Sequence, residues 1–245
     1  LLHAYGADAP PRTGALWRQY LIANFYGTFL PGGVGGDIVR AVACRDAFAS
    51  GGVTASMGVV FVDRALGLAG LLIVASCAFL FSPLAGVDGV LIGAVVGVSL
   101  VAACVAALAL GPRLAPHLPG VLGRLAGKLP VLRSLPSLAG ALGLSFVTHS
   151  IVAATGHVLI ASLTRVTWMQ SLVIVPLTGA AQYLPITVAG AGAREAAFVV
   201  LYRGVGVADA DALTASLGVF ACQLAVAALG GLLSLGVAAA PEQRA

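Results

Sequence analysis

Six ionisable side chains sit in surroundings that give them almost no polar company. Asp37 and Arg40 lie one helical turn apart behind a Pro-Gly break in FLPGGVGGDIVR. Asp63 and Arg64 adjoin in VVFVDRALGL, and Arg194 and Glu195 adjoin in YLPITVAGAGAREAAF. On insertion scales each such charge costs about 2.5 to 3.5 kcal/mol at a bilayer centre, whereas Leu or Val returns only about 0.3 to 0.6. Facing lipid, the six would overwhelm the apolar segments that carry them, so they are expected to face inward, paired or wetted by a cavity. A half-helix beginning at Gly36, or one beginning near Ala193, aims free N–H groups and the positive end of its dipole at the break, which attracts anions. Glycines 32, 33, 35 and 36, and 190 and 192, let backbone approach a ligand closely or turn through positive φ. With Arg40, Arg64 and Arg194 nearby, the expected guest is an anionic group such as a lipid phosphate.

The same side chains admit a purely structural arrangement. Asp37 would cap its half-helix, Arg40 would pair with Asp63 and Glu195 with Arg64, and the network would staple two hairpins together with nothing bound. Asn24, Tyr26 and Gln182, on the incoming half-helices, are candidate ligand contacts, although such residues more often satisfy broken backbone. Residue types alone do not separate the two arrangements.

Composition supplies the solvent for this chemistry. Hydrophobic residues make up 60% of the 245, charged residues 9%, and the mean hydropathy is +1.03, against about 25% charged residues in a soluble domain. The chain reads as an integral membrane protein, because apolar runs at 54–81, 87–110, 137–163 and 211–240 each reach the roughly 20 residues a span needs. They lack the two-residue alternation of barrel strands, so the fold class is all-α, a polytopic membrane protein. Residues 16–48 and 168–204 depart from this pattern. Each reads as a short helix, amphipathic in the first case, then a Pro-Gly break and a second short helix. These are expected to be re-entrant hairpins.

The two halves resemble each other. VTASMGVVFVDR at 53–64 aligns with LTASLGVFACQL at 213–224, and in both halves the order is Leu-Pro, glycines, an acid with a nearby Arg, then this helix. Gln223 occupies the repeat position of Asp63 and reads as interhelical glue. Three spans separate the hairpins, so the repeat is expected to be inverted. Residues 1–82 complete a first unit and 83–245 form a second. Repeat arithmetic places on the order of 75 residues, two further spans, before Leu1, so the chain reads as an N-terminally truncated fragment. The basic linker 111–136 carries Arg113, Arg124, Lys128 and Arg133 with no acid, which puts it and the C-terminus on the cytoplasmic side of the plasma (inner) membrane.

Other reactive residue types read as structural. Cys44, Cys77, Cys104 and Cys222 stand singly on apolar segments, with no metal-ligand spacing. Ser145, His149 and His157 form a polar stripe on span 137–163, and the histidines lie about 12 Å apart along the axis, too far to share a metal. An interface role is favoured over a proton relay. Trp17 and Trp168 open the two hairpins as interfacial anchors. No cofactor, metal or nucleic acid is expected.

The strings FLPGGVGGDIVR, VVFVDRALGL and YLPITVAGAGAREAAF together resemble the lysylphosphatidylglycerol synthase transmembrane family, the flippase-like domain proteins, over nearly all of the chain. The resemblance implies lipid-handling positions at Pro31, Gly36, Asp37, Arg40, Asp63, Arg64, Gly192, Arg194 and Glu195. The sequence ends at PEQRA with no soluble aminoacyl-transferase domain, so a stand-alone, non-enzymatic member is expected. It would translocate an anionic phospholipid or lipid-linked precursor through a central polar cavity between the inverted hairpins, and no nucleotide-binding motif is present to drive the movement. The competing expectation is a non-catalytic membrane scaffold or an accessory subunit of cell-envelope lipid or polysaccharide synthesis; a homodimer or an envelope-biosynthesis partner is the expected assembly. An intramembrane glycosyl- or acyltransferase fits less well, because the outer loops are too small to build one.

Overall fold

A computed structural model describes residues 1–2, 5, 7–30, 34–48, 52–81, 134–180 and 190–238, with scattered positions between 98 and 120. Among these the fold is all-α, as expected: α1 Thr13–Phe29, α2 Val34–Ala43, α3 Gly52–Leu80, α4 Leu135–Ala161, α5 Trp168–Gly179, α6 Ala193–Arg203 and α7 Asp209–Ala238. Among the described residues three helices are long and apolar enough to cross a membrane: α3, α4 and residues Asp209–Leu235 of α7. At 1.5 Å per residue these run about 40 to 44 Å, more than the roughly 30 Å of hydrocarbon. By contrast α2, α5 and α6 reach only about 15 to 18 Å. The expected span 87–110 and most of the linker 111–136 lie outside the described residues.

Local sequence sets the helix ends. At α5, Thr167 accepts from the Gln170 N–H at 3.3 Å while the Gln170 side chain accepts from the Thr167 N–H at 2.8 Å, a reciprocal capping box. At α4, Ser134 accepts from the Ser137 N–H at 3.4 Å and Pro136 fills the first turn, where a missing N–H costs nothing. At α6 the chain enters through Gly192 at φ +82°, a conformation that favours glycine. The Glu195 carboxylate accepts from the Gly192 N–H at 2.6 Å, taking up one free donor of the helix start. One expectation is corrected: α1 is not amphipathic. Its polar residues are spread around the axis, and Ala23 is its one buried residue, so no single face is set aside for the core.

The packing crosses between halves. α1 seats most heavily on α7 and α3 on α5, so the incoming arm of each hairpin lies against the long helix of the other half. α2 lies on α1 and α3, and α6 on α5 and α7; α4 packs against α3, α5 and α7. Small residues make this closeness possible. A Cβ on Gly36 would overlap the Ala23 carbonyl oxygen of α1, and one on Gly156 would lie 2.7 Å from Val175. The two repeated stretches are also buried alike: Ser56 and Ser216, and Val59 and Val219, are buried, while Thr54 and Thr214, Met57 and Leu217, and Phe61 and Ala221 are exposed. Two apolar cores result, one around Ile160, Ile174, Phe198 and Tyr202, the other around Val59, Val62, Leu66 and Leu138.

Candidate functional site

The first hairpin and the helix after it build a four-charge cluster. Asp37 falls in the first turn of α2 and Arg40 one turn later, on the same face. Arg40 donates from Nη2 to Asp37 Oδ1 at 2.9 Å and from Nη1 to Asp63 Oδ2 on α3. Arg64 Nε lies 2.5 Å from Asp37 Oδ2, so Asp37 bridges two guanidinium groups. From α1, the ring of Tyr20 covers Arg40 at 5.6 Å, a favourable cation–π placement. The cluster is charge-balanced yet not closed. The Asp63 side chain is 42% exposed and that of Arg64 32%.

The second hairpin repeats the design in a sealed form. Arg194 on α6 donates from Nη1 to Gln223 Oε1 on α7 at 2.9 Å, from Nε to Glu195 Oε1 at 3.1 Å, and from Nη2 to the same oxygen. Its guanidinium stands 4.6 Å from the ring centre of Phe220. With 1% of its side chain exposed, Arg194 is the largest fully buried side chain described. Gln223 therefore does on α7 what Asp63 does on α3: each accepts from the arginine of the short helix before it. Glu195 pairs with Arg194 and Arg64 with Asp37, so the structural arrangement that joined Glu195 to Arg64 is corrected. Among the described residues every ion pair closes within one half. Arg and acid lie close enough along each hairpin to satisfy one another locally.

The remaining site candidates fall in different surroundings. Pro31 and Gln182 lie outside the described residues. The Asn24 carbonyl accepts from Thr28 at 2.8 Å, and Tyr26 meets Phe25 edge-on at 5.4 Å; the α1 side chain over the charged cluster is Tyr20. Gly36 turns its free face to α1, where it permits helix contact, and Gly192 serves the turn into α6. The polar stripe of α4 reaches its neighbours: Ser145 donates to the Leu66 carbonyl of α3 at 3.1 Å. His157 Nδ1 meets Ser171 Oγ at 2.9 Å, and the Tyr202 hydroxyl donates to that same Ser171 at 3.2 Å. Among the described residues no cluster of His, Cys, Asp and Glu could hold a metal. A shallow cavity of about 440 Å³ runs along residues 161–166, and an apolar one of about 190 Å³ lies between α3, α4 and α5. Neither is lined by the six charges.

Several of these partners escape a reading of the sequence. Tyr20, Phe220 and Ser171 are ordinary members of apolar helices. Only the spacing of Phe220, three residues before Gln223, marks it as sharing a face with a residue already singled out.

A family model described as "Lysylphosphatidylglycerol synthase TM region" matches residues 1–231. No curated protein and no solved structure gives a match.

Proposed function

The chain belongs to the lysylphosphatidylglycerol synthase transmembrane-region family, and on that basis we propose that it carries an anionic lipid, or a lipid-linked precursor, between leaflets. The observation that carries this reading is the exposure of Asp63 and Arg64, beside Arg40, on α3, a helix otherwise apolar enough for a bilayer. Charges left that open in hydrocarbon are costly; a polar guest or water beside them removes the penalty, and two arginines suit a phosphodiester. The matching contacts of the two halves, with α1 on α7 and α3 on α5, support an inverted repeat whose halves rock against each other around the headgroup. Movement would be energy-independent or ion-coupled, in the plasma membrane, with residues 111–136 and the C-terminus on the cytoplasmic side.

The test is full-length protein reconstituted in phosphatidylcholine vesicles doped with a fluorescent phosphatidylglycerol, with the outer leaflet quenched chemically. Wild type should expose the inner-leaflet pool and Arg40→Gln should not, at equal protein incorporation. Equal exposure by both overturns the reading. The sealed, fully partnered Arg194 favours a second reading, a scaffold whose charges only hold helices together. It gains if Arg40→Gln lowers protein abundance and leaves lipid distribution alone.

A further inference from the structure

The four charges of the first hairpin are not held equally. Asp37 bridges Arg40 and Arg64 and is 16% exposed, a carboxylate locked between two cations. Asp63 contacts Arg40 through one oxygen and is the most exposed of the four. Because Arg40 also keeps Asp37 at 2.9 Å, it remains partnered if Asp63 swings away. The other half has no such freedom, since Gln223 is a neutral acceptor and the charge of Arg194 is already matched by Glu195.

From this we infer that Asp63 is a placeholder anion: it occupies Arg40 Nη1 while the site is empty, an incoming lipid phosphodiester displaces it, and its return expels the headgroup. The inference rests on the transport reading above and assigns the exchange to the first half, with the Arg194 cluster as its fixed counterpart. The physics is competition at one guanidinium edge. Arg40 cannot lose its charge, so in a low-dielectric setting that edge needs an acceptor at all times, and an anion is the strongest one on offer. A resident carboxylate satisfies it in the empty state and keeps the bound state from becoming a trap. Asp63 is thus a positioning residue that sets release, and its removal should separate affinity from turnover.

The experiment measures both on full-length protein. Binding of water-soluble dihexanoyl-phosphatidylglycerol is followed by equilibrium dialysis in detergent, and turnover with fluorescent phosphatidylglycerol in phosphatidylcholine vesicles. Asp63→Asn leaves the cluster one positive charge in excess. It should bind about tenfold more tightly and turn over several-fold more slowly, and Asp63→Glu should restore wild-type behaviour to within a few-fold. Weaker or unchanged binding by Asp63→Asn, with wild-type transport intact, overturns the placeholder and leaves the transport reading standing. Absence of transport by wild type removes both. If Asp63→Asn does not fold, infrared difference spectra of the wild type decide: binding should convert one guanidinium-paired carboxylate band to an unpaired one, and a flat carboxylate region refutes the exchange.

Discussion

Gly230 of α7 touches the Leu21 carbonyl oxygen of α1 so closely that a Cβ on Gly230 would overlap it. Between membrane helices, such backbone-to-backbone approach supplies the dispersion and weak C–H···O contacts that stand in for a solvent-driven core. Gly230→Val should therefore pry α1 from α7, costing about 1 to 3 kcal/mol, as other overpacked contacts do. Gly140→Val, where a Cβ meets nothing within 4 Å, should change little. Thermal melts of both variants in detergent make the comparison.

Arg194 should tolerate substitution worse than Arg40. Lysine keeps the charge but loses the planar fork that serves Glu195 and Gln223 at once. A buried network deprived of one partner loses on the order of 3 to 5 kcal/mol. Arg194→Lys should lower the yield of monodisperse protein well below that of Arg40→Lys, read by size-exclusion chromatography of matched cultures. Equal yields would show that sealing confers no structural weight.

The capping box at Thr167 fixes where α5 begins. Thr167→Ala removes one acceptor from a free N–H and should destabilise the helix start by about 1 kcal/mol, while Thr167→Ser retains the bond. Hydrogen exchange should quicken at Gln170 and Ser171 in the alanine variant alone. Because Ser171 also hydrogen-bonds His157 and accepts from Tyr202, fraying there should loosen the junction of α4, α5 and α6.

Arg203 and Asp209 pair across the turn from α6 to α7, with both side chains more than half exposed. Water screens such a pair, and ordering two side chains offsets the attraction. Arg203→Gln should leave the Tm within experimental scatter, even though the bond is bidentate on paper. A drop of several degrees would mean that the turn, with Gly206 at φ +84°, depends on this clasp.

Much of the architecture is legible because hydrocarbon tolerates few solutions. Runs such as 54–81 and 211–240 can only be helices, and their observed bounds fall within a few residues of the apolar limits. The six charges were visible for the same reason, since their cost singles them out. Their pairing was less legible. Arg40 with Asp63 follows from the motif, but Arg64 turning to Asp37, and Arg194 turning to its neighbour Glu195, depend on side-chain direction at an interface that spacing does not specify. Gly36 shows the same limit: a glycine needed for a ligand and one needed for a helix contact look identical in one dimension. The Gly230–Gly231 pair was not singled out, and nothing in its neighbourhood names Leu21 and Phe25 as the partners.

The crossed seating of α1 on α7 bears on how the protein comes into being. Synthesis proceeds from the N-terminus, so α1 enters the membrane long before the surface it will rest on has left the ribosome. Until then the backbone at Leu21 and the ring of Phe25 lack the glycines that will lie against them. A chain that stops short of α7 therefore leaves the most extensively packed face of α1 uncovered.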